Sequence, residues 1–327
     1  MSWLKSIPVL LWSAALILVG WILYQLPLTT ITQSLSTLTI TQWLAWISIN
    51  LAIIALATQR WLTLIKGLGL SVKFNELLMI RQAGQAISFI TPGPQFGGEP
   101  LQIYWLWKRN HWPIHSALLA VGMDRFYELW INFGVLLLSL ILLMTTSITG
   151  PTTTINWPVM FLGLLLILLA LSLLDGLIIR QPDRVLAWIK RVTHYWQHHP
   201  RLLHIETHWQ RLNTDLKSLM TTHKAELAQA FVWSLIGWIG LIGELWLILG
   251  FFDIALTFYS FMLILVAMRL AFLLPLPGGI GTLEASLFWV FQILSLPLTV
   301  AISVMALMRL RDAVTLLIGL CCVRALR

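Results

Sequence analysis

The chain has 327 residues, of which 58% are hydrophobic and only 10% charged, with a formal net charge of +8. A water-soluble domain of this size needs a polar surface that these proportions do not supply. The basic excess does not indicate nucleic acid either: lysines and arginines sit mainly at the ends of apolar runs, where positive-inside anchors belong, and no basic surface with interleaved aromatics remains.

Lys5 precedes an apolar stretch over about residues 9–26, too long for a signal peptide and followed by no small-residue cleavage site. It reads as an uncleaved first span. A second span covers about 43–65, and an interrupted pair of short segments covers about 77–107. Long apolar runs follow at about 115–144 and 158–179. After a polar stretch at about 180–226 come a span at about 227–250, a second interrupted pair at about 258–296 and a last span at about 299–320. The expected fold class is an all-α polytopic membrane protein.

Loop charge gives the orientation. The segments 29–42 and 145–157 carry no charge, whereas Lys66, Lys73, Lys108, Arg109, Arg180, Arg184, Arg324 and Arg327 mark the other side. The positive-inside rule then places both termini in the cytoplasm, with six full crossings. That parity holds only if each interrupted pair enters and leaves on one side, so both are expected to be re-entrant helical hairpins.

The polar stretch contains eight basic residues, four acids and six of the eight histidines. His194 and His198, like His204 and His208, are spaced four apart on one helix face, a spacing that suits a metal. The favoured reading is a solvated amphipathic helical insertion with a basic face toward anionic headgroups, because so few residues bury too little core to hold a catalytic site. Cys321 and Cys322 are adjacent, unsuited to a disulfide and too few for a metal site, and read as packing. No metal and no cofactor is expected.

One motif occurs twice. Pro92 and Gly93 precede Glu99 within TPGPQFGGEP, and Pro277 and Gly278 precede Glu284 at the same spacing within LPLPGGIGTLEA, 185 residues later. The same offset carries Trp43 to Ala228 at the start of the corresponding span, and Asp124 to Arg309. Arg81 lies three residues out of register with Arg269, about one helical turn. With three crossings per half, the halves insert upside down relative to each other, the inverted-repeat plan of secondary transporters. The single domain, residues 1–327, thus divides into a half at about 1–144 and a half at about 158–320 that includes the insertion.

Proline and glycine (Pro92, Gly93, Gly97, Gly98; Pro277, Gly278, Gly279, Gly281) prevent the hairpin tips from continuing as helix. Irregular backbone at membrane depth is tolerated where it is packed in protein or faces water, so the tips are expected to line a cavity. Glu99 and Glu284 begin the returning half-helices, where a carboxylate either caps the helix or meets a substrate cation or proton. Asp124, Arg125 and Glu128 lie well inside their span, with Arg125 placed to pair with Glu128. Glu244, Arg269, Arg309, Arg311 and Asp312 are comparably deep, whereas Arg60 and Asp175 read as snorkelling. Deep charges are functional candidates by default, with clamping of the hairpins as the alternative for Arg81, Arg125, Arg269 and Arg309.

The stretch from Arg81 to Glu128, with TPGPQFGGEPLQIYWLWKRN and VGMDRFYEL, and the later LPLPGGIGTLEA with MALMRLRD, resemble the two signatures of the lysylphosphatidylglycerol synthase transmembrane family. The resemblance covers roughly residues 5–320 and implies a lipid flippase fold, with functional positions at Arg81, Glu99, Asp124, Arg125, Arg269, Glu284 and Arg309. Two features depart from the pattern. The chain stops at Arg327, so the soluble aminoacyl-transferase half is expected to be absent and the chain is not expected to be an enzyme. Gln102 stands where many members carry arginine.

The leading expectation is therefore a lipid flippase of the bacterial inner membrane, passing a phospholipid or glycolipid headgroup between the hairpins. Its substrates would be anionic, aminoacylated or glycosylated lipids, and a second copy of the chain or a lipid-synthesis enzyme are candidate protein partners. A proton-coupled transporter of a small polar solute and a non-catalytic membrane scaffold are the competing readings.

Overall fold

The computed structural model describes residues 32, 35–91, 97–146, 157–180, 205–254, 256–273, 279 and 281–326. The expected first span, residues 181–204 with His194, His198 and His204, and the tip residues Pro92, Gly93, Pro277 and Gly278 lie outside the described residues.

Among the described residues the structure consists of ten helices and no strand. In chain order these are α1 (Ile40–Gly67), α2 (Phe74–Ile90), α3 (Glu99–Arg109), α4 (Ile114–Thr146) and α5 (Trp157–Arg180). They continue with α6 (Ile205–Thr222), α7 (Lys224–Gly250), α8 (Phe258–Leu273), α9 (Thr282–Ile293) and α10 (Leu298–Leu326). Beyond the first, the apolar runs of the sequence fall on these helices, to within about six residues at each end.

Helix α1 starts at a capping box, in which Thr39 Oγ1 accepts from the Gln42 amide and the Gln42 side chain accepts from the Thr39 amide at 2.8 Å. Helices α1, α4 and α7 are long and apolar enough to cross a bilayer. Helix α10, with 29 residues, is as long, but its centre is interrupted by Arg309, Arg311 and Asp312. Apart from the 24-residue apolar helix α5, the remaining apolar segments form two short pairs. Helices α2 and α3 have 17 and 11 residues, and α8 and α9 have 16 and 12. At 1.5 Å per residue these reach only about 16–26 Å, short of the roughly 30 Å hydrocarbon core.

The most extensive packing is α1 along α7, followed by α10 along α2. Further contacts occur in matched sets. Helices α1–α2, α2–α3, α3–α4 and α1–α4 pack together, as do α7–α8, α8–α9, α9–α10 and α7–α10, and the α2–α10 contact is answered by α8–α4. Close approach of α10 to α2 depends on Gly319, since a methyl group there would lie 2.5 Å from both the Gln82 carbonyl oxygen and the Ala86 side chain.

One apolar core joins the C-terminal half of α4 (Phe133 to Leu143) to α8, α9 and the first half of α10. A second gathers the C-terminal end of α1 with α2, α3, the start of α4 and the end of α10. Helix α6, the described part of the polar stretch, docks Leu216 and Leu219 on Leu64, Leu119 and Met123. Large exposed apolar side chains cover the outer faces, including Ile40, Leu44 and Leu51 on α1, Ile239 and Trp246 on α7 and Leu317 on α10. Such a belt is stable where the surrounding medium is lipid. Cys321 and Cys322 are free thiols near the end of α10.

Candidate functional site

Between the two sets of helices lies a cavity of about 560 Å³, walled by α1, α2, α4, α5, α7, α8 and α10. Its wall is mixed. Arg60, Arg81, Arg125, Arg269 and Arg311 face it together with Glu128, Glu244 and Asp312, and these charges alternate with Ile53, Leu129, Leu241 and Phe272. Bare charges in such a setting would be costly, so their partners define the site.

In the first half, Asp124 is the hub. One carboxylate oxygen accepts from Arg60 Nε at 2.8 Å and the other from Arg81 Nη1 at 2.7 Å, with all three side chains nearly inaccessible to solvent. The helix spacing anticipated for Arg125 and Glu128 is present, at 2.9 Å. Arg125 also reaches Glu99 at 2.8 Å.

Glu99 stands at the start of α3, and its second oxygen accepts from the Gly97 amide at 2.7 Å. Gly97 has φ 137°, a conformation that favours glycine. Gly98 donates to Ser88 Oγ at 2.9 Å and touches the backbone of Gly84, where any side chain on Gly98 would collide with the Gly84 carbonyl. Thus the start of α3 is tied to α2 by Gly98 and to α4 by the Glu99–Arg125 bridge. Gln102 is buried against Gly84 and is not among the residues that line the cavity.

The second half repeats this clamp. Glu284 accepts from the Gly281 amide at 2.8 Å and binds Arg309 Nη2 at 2.6 Å. Arg309 Nη2 also donates to the Gly279 carbonyl at 3.2 Å, and Thr282 Oγ1 ties the start of α9 to the Ala271 carbonyl of α8 at 3.1 Å. Gly279 and Gly281, with φ 63° and 82°, supply the left-handed backbone. Arg309 pairs with Asp312 one turn on, at 3.3 Å. The structure therefore matches Arg125, rather than Asp124, to Arg309, because the clamps are one residue out of the 185-residue register.

A further correspondence reverses sign. Where α1 and α4 are joined by Arg60 and Asp124, α7 and α10 are joined by Glu244 and Arg311 at 2.8 Å. The cation of one half takes the place of the anion in the other.

Of the residues singled out in the sequence, Arg81, Arg125, Glu128, Glu244, Arg269 and Asp312 line the cavity. Asp124 and Arg309 are buried behind this wall, while Glu99 and Glu284 are held at the loop ends rather than among the lining residues. Arg60 does not snorkel: it is 5% exposed and bound to Asp124, because α4 passes close to α1 at this level. Arg311, Gln82 and Trp238 were not singled out as site residues and also line the cavity. Only the intramembrane depth of Arg311 was visible in sequence; Gln82 and Trp238 gave no signal. Among the described residues no group of three or more histidine, cysteine, aspartate or glutamate side chains is placed to hold a metal ion.

Helices of spanning length around a polar interior, with an apolar outer belt, define a multi-pass helical membrane protein. The chain belongs to the lysylphosphatidylglycerol synthase transmembrane-region family, whose model matches residues 6–319. It is 25% identical over 272 residues to a UPF0104 membrane protein of Methanocaldococcus jannaschii, covering 80% of this chain and 77% of that one. A UPF0104 membrane protein of Methanothermobacter thermautotrophicus is 24% identical over 238 residues, covering 71% and 69%. No solved structure matches the chain significantly.

Proposed function

We propose that this protein moves lipid headgroups across the cytoplasmic membrane through the cavity between its two halves. The observation that carries the reading is the mixed wall, on which five arginines and three carboxylates alternate with aliphatic and aromatic side chains. An amphiphile needs both surfaces at once: charged groups for its headgroup and apolar groups for the adjoining chains. A small polar solute needs only the first. In this reading the chain is a transporter with no reaction of its own.

The short pairs α2–α3 and α8–α9 act as re-entrant hairpins, since neither member of either pair reaches across the hydrocarbon core. The matched packing of the halves and the paired clamps Glu99–Arg125 and Glu284–Arg309 support an inverted repeat, with both termini cytoplasmic. Glu99 and Glu284 fix the hairpin tips, while Arg81, Arg125, Glu128, Glu244, Arg269 and Asp312 face the passing headgroup.

Reconstitution tests this directly. Liposomes containing phosphatidylglycerol and a glycolipid are treated with periodate, a membrane-impermeant reagent that oxidises their diols. Protein-free vesicles expose only the outer leaflet. Vesicles with the protein are expected to expose the inner-leaflet pool of at least one of the two lipids, and equal oxidation with and without protein contradicts the proposal.

A further inference from the structure

In the first half a single carboxylate fastens two helices to a third. Asp124 of α4 accepts from Arg60 of α1 with one oxygen and from Arg81 of α2 with the other. A second acid, Glu128, lies within 3.8 Å of both arginines. The arrangement closes the seam between α1 and α2.

The second half carries the same set of charges on the matching helices. Glu244 of α7 accepts from Arg311 of α10 with Oε2 at 2.8 Å, and Asp312 is the second acid, 3.3 Å from Arg311. The remaining arginine, Arg269, sits on α8, the counterpart of α2. It is not on the carboxylate. Its guanidinium carbon lies 4.6 Å from the ring centroid of Trp238 on α7, and among the described residues no carboxylate is within ion-pair distance of it.

The missing contact leaves an acceptor unused. Glu244 is 2% exposed, and its Oε1 is buried without a hydrogen-bond partner. An unbonded carboxylate oxygen in a protein interior is costly. Because that atom is shut off from the water of the cavity, its partner has to come from the protein. Arg269 qualifies: Glu244 is one of the charges that act on it, and the others are Arg311 and Glu128, which are already bonded.

Packing gives a second, independent sign. Helix α7 rests on α8 less extensively than α1 rests on α2, so the seam that lacks the ion pair is also the looser one. A guanidinium over an indole is held with modest strength, less than a buried charge-assisted bond to a carboxylate provides. The ring thus suits a resting place from which the arginine can leave.

We infer that Arg269 is a gate, moving between the Trp238 ring and Glu244 Oε1. Its arrival on Glu244 draws α8 onto α7 and narrows the cavity between the halves. The structure holds the second half open and the first half closed, and the closed hub around Asp124 shows the contact that the second half makes when it shuts. Whatever enters the cavity, lipid or not, meets this gate, so it stands apart from the lipid-moving reading.

The test is the rate at which a membrane-impermeant maleimide modifies one cysteine, Ala57→Cys on the α1 wall of the cavity. The full chain is reconstituted in nanodiscs, with the native thiols removed by Cys321→Ser and Cys322→Ser. Trp238→Leu takes away the resting place and should slow modification about twofold to fivefold, the population shift expected for losing a cation–ring contact. Trp238→Phe keeps a weaker ring and should slow it less. In Arg269→Gln or Glu244→Gln the gate lacks one of its two parts, and adding Trp238→Leu should change nothing.

Arg269 makes no ion pair, so Arg269→Gln strands no carboxylate, and Trp238→Phe carries the comparison if Trp238→Leu does not fold. Modification at the wild-type rate in every folded Trp238 variant overturns the inference. So does slowing that persists once Arg269 or Glu244 is neutralised, which would assign the effect to the Trp238 side chain itself. Neither result bears on whether lipid crosses, since no translocation is measured.

Discussion

Arg309 reaches back to Glu284 at 2.6 Å, and this bridge fastens α10 to the first turn of α9. Glu284 serves two neighbours, accepting from the Gly281 amide with its other oxygen. Glu284→Gln keeps an acceptor for that amide but loses the ion pair; Glu284→Ala loses both. Thermal melts in detergent should show Gln below wild type by about 2–3 kcal/mol, since the pair is only partly solvated. Alanine should be lower by about 1 kcal/mol more, the usual worth of an N-terminal cap. Equal losses would mean that the Gly281 contact contributes nothing.

Asp124 neutralises two buried arginines at once. Asp124→Asn should therefore be the most damaging single change in the first half, costing about 3–5 kcal/mol because Arg60 and Arg81 are both stranded. Arg60→Gln should cost less, as Arg81 still satisfies the carboxylate. Expression level and melting temperature of the two variants give the ranking directly.

The reversed pairs Arg60–Asp124 and Glu244–Arg311 invite a charge swap. Glu244→Arg and Arg311→Glu should each destabilise strongly, and the double variant should recover about 1–3 kcal/mol of coupling in a double-mutant cycle. Additive losses would show that the two side chains do not act on each other.

Gly98→Ala places a methyl group against the Gly84 carbonyl, where backbone on both sides prevents relief. It should abolish a stable fold or shift the melt by several degrees. Gly122→Ala, where a methyl group meets open space, serves as the control and should be neutral or slightly stabilising. A harmless Gly98→Ala would remove the reason for a glycine at that tip.

Much of the fold was legible because membrane helices announce themselves by length and hydropathy. The boundaries of α1, α4, α7 and α10, and the two interrupted pairs, lie where the apolar runs placed them. The i,i+3 pairing of Arg125 with Glu128 was also readable, since it depends on helix geometry alone. Partners from distant helices were not. Arg60 looked peripheral until α4 was placed beside α1, and the offset matched Arg309 to Asp124 although the clamp equates it with Arg125. Sequence spacing reports periodicity within an element, whereas these contacts follow from how elements cross. The unbonded state of Gln82 and the Arg269–Trp238 stack belong to the same class.

The claim that headgroups pass through the cavity is tested most directly by filling it. Gly237 lines the cavity on α7, and a Cβ added there meets nothing within 4 Å. Gly237→Trp should therefore fold with a melting temperature close to wild type while reducing periodate-detected translocation to that of protein-free vesicles. Translocation at the wild-type rate by a folded Gly237→Trp variant would contradict the account.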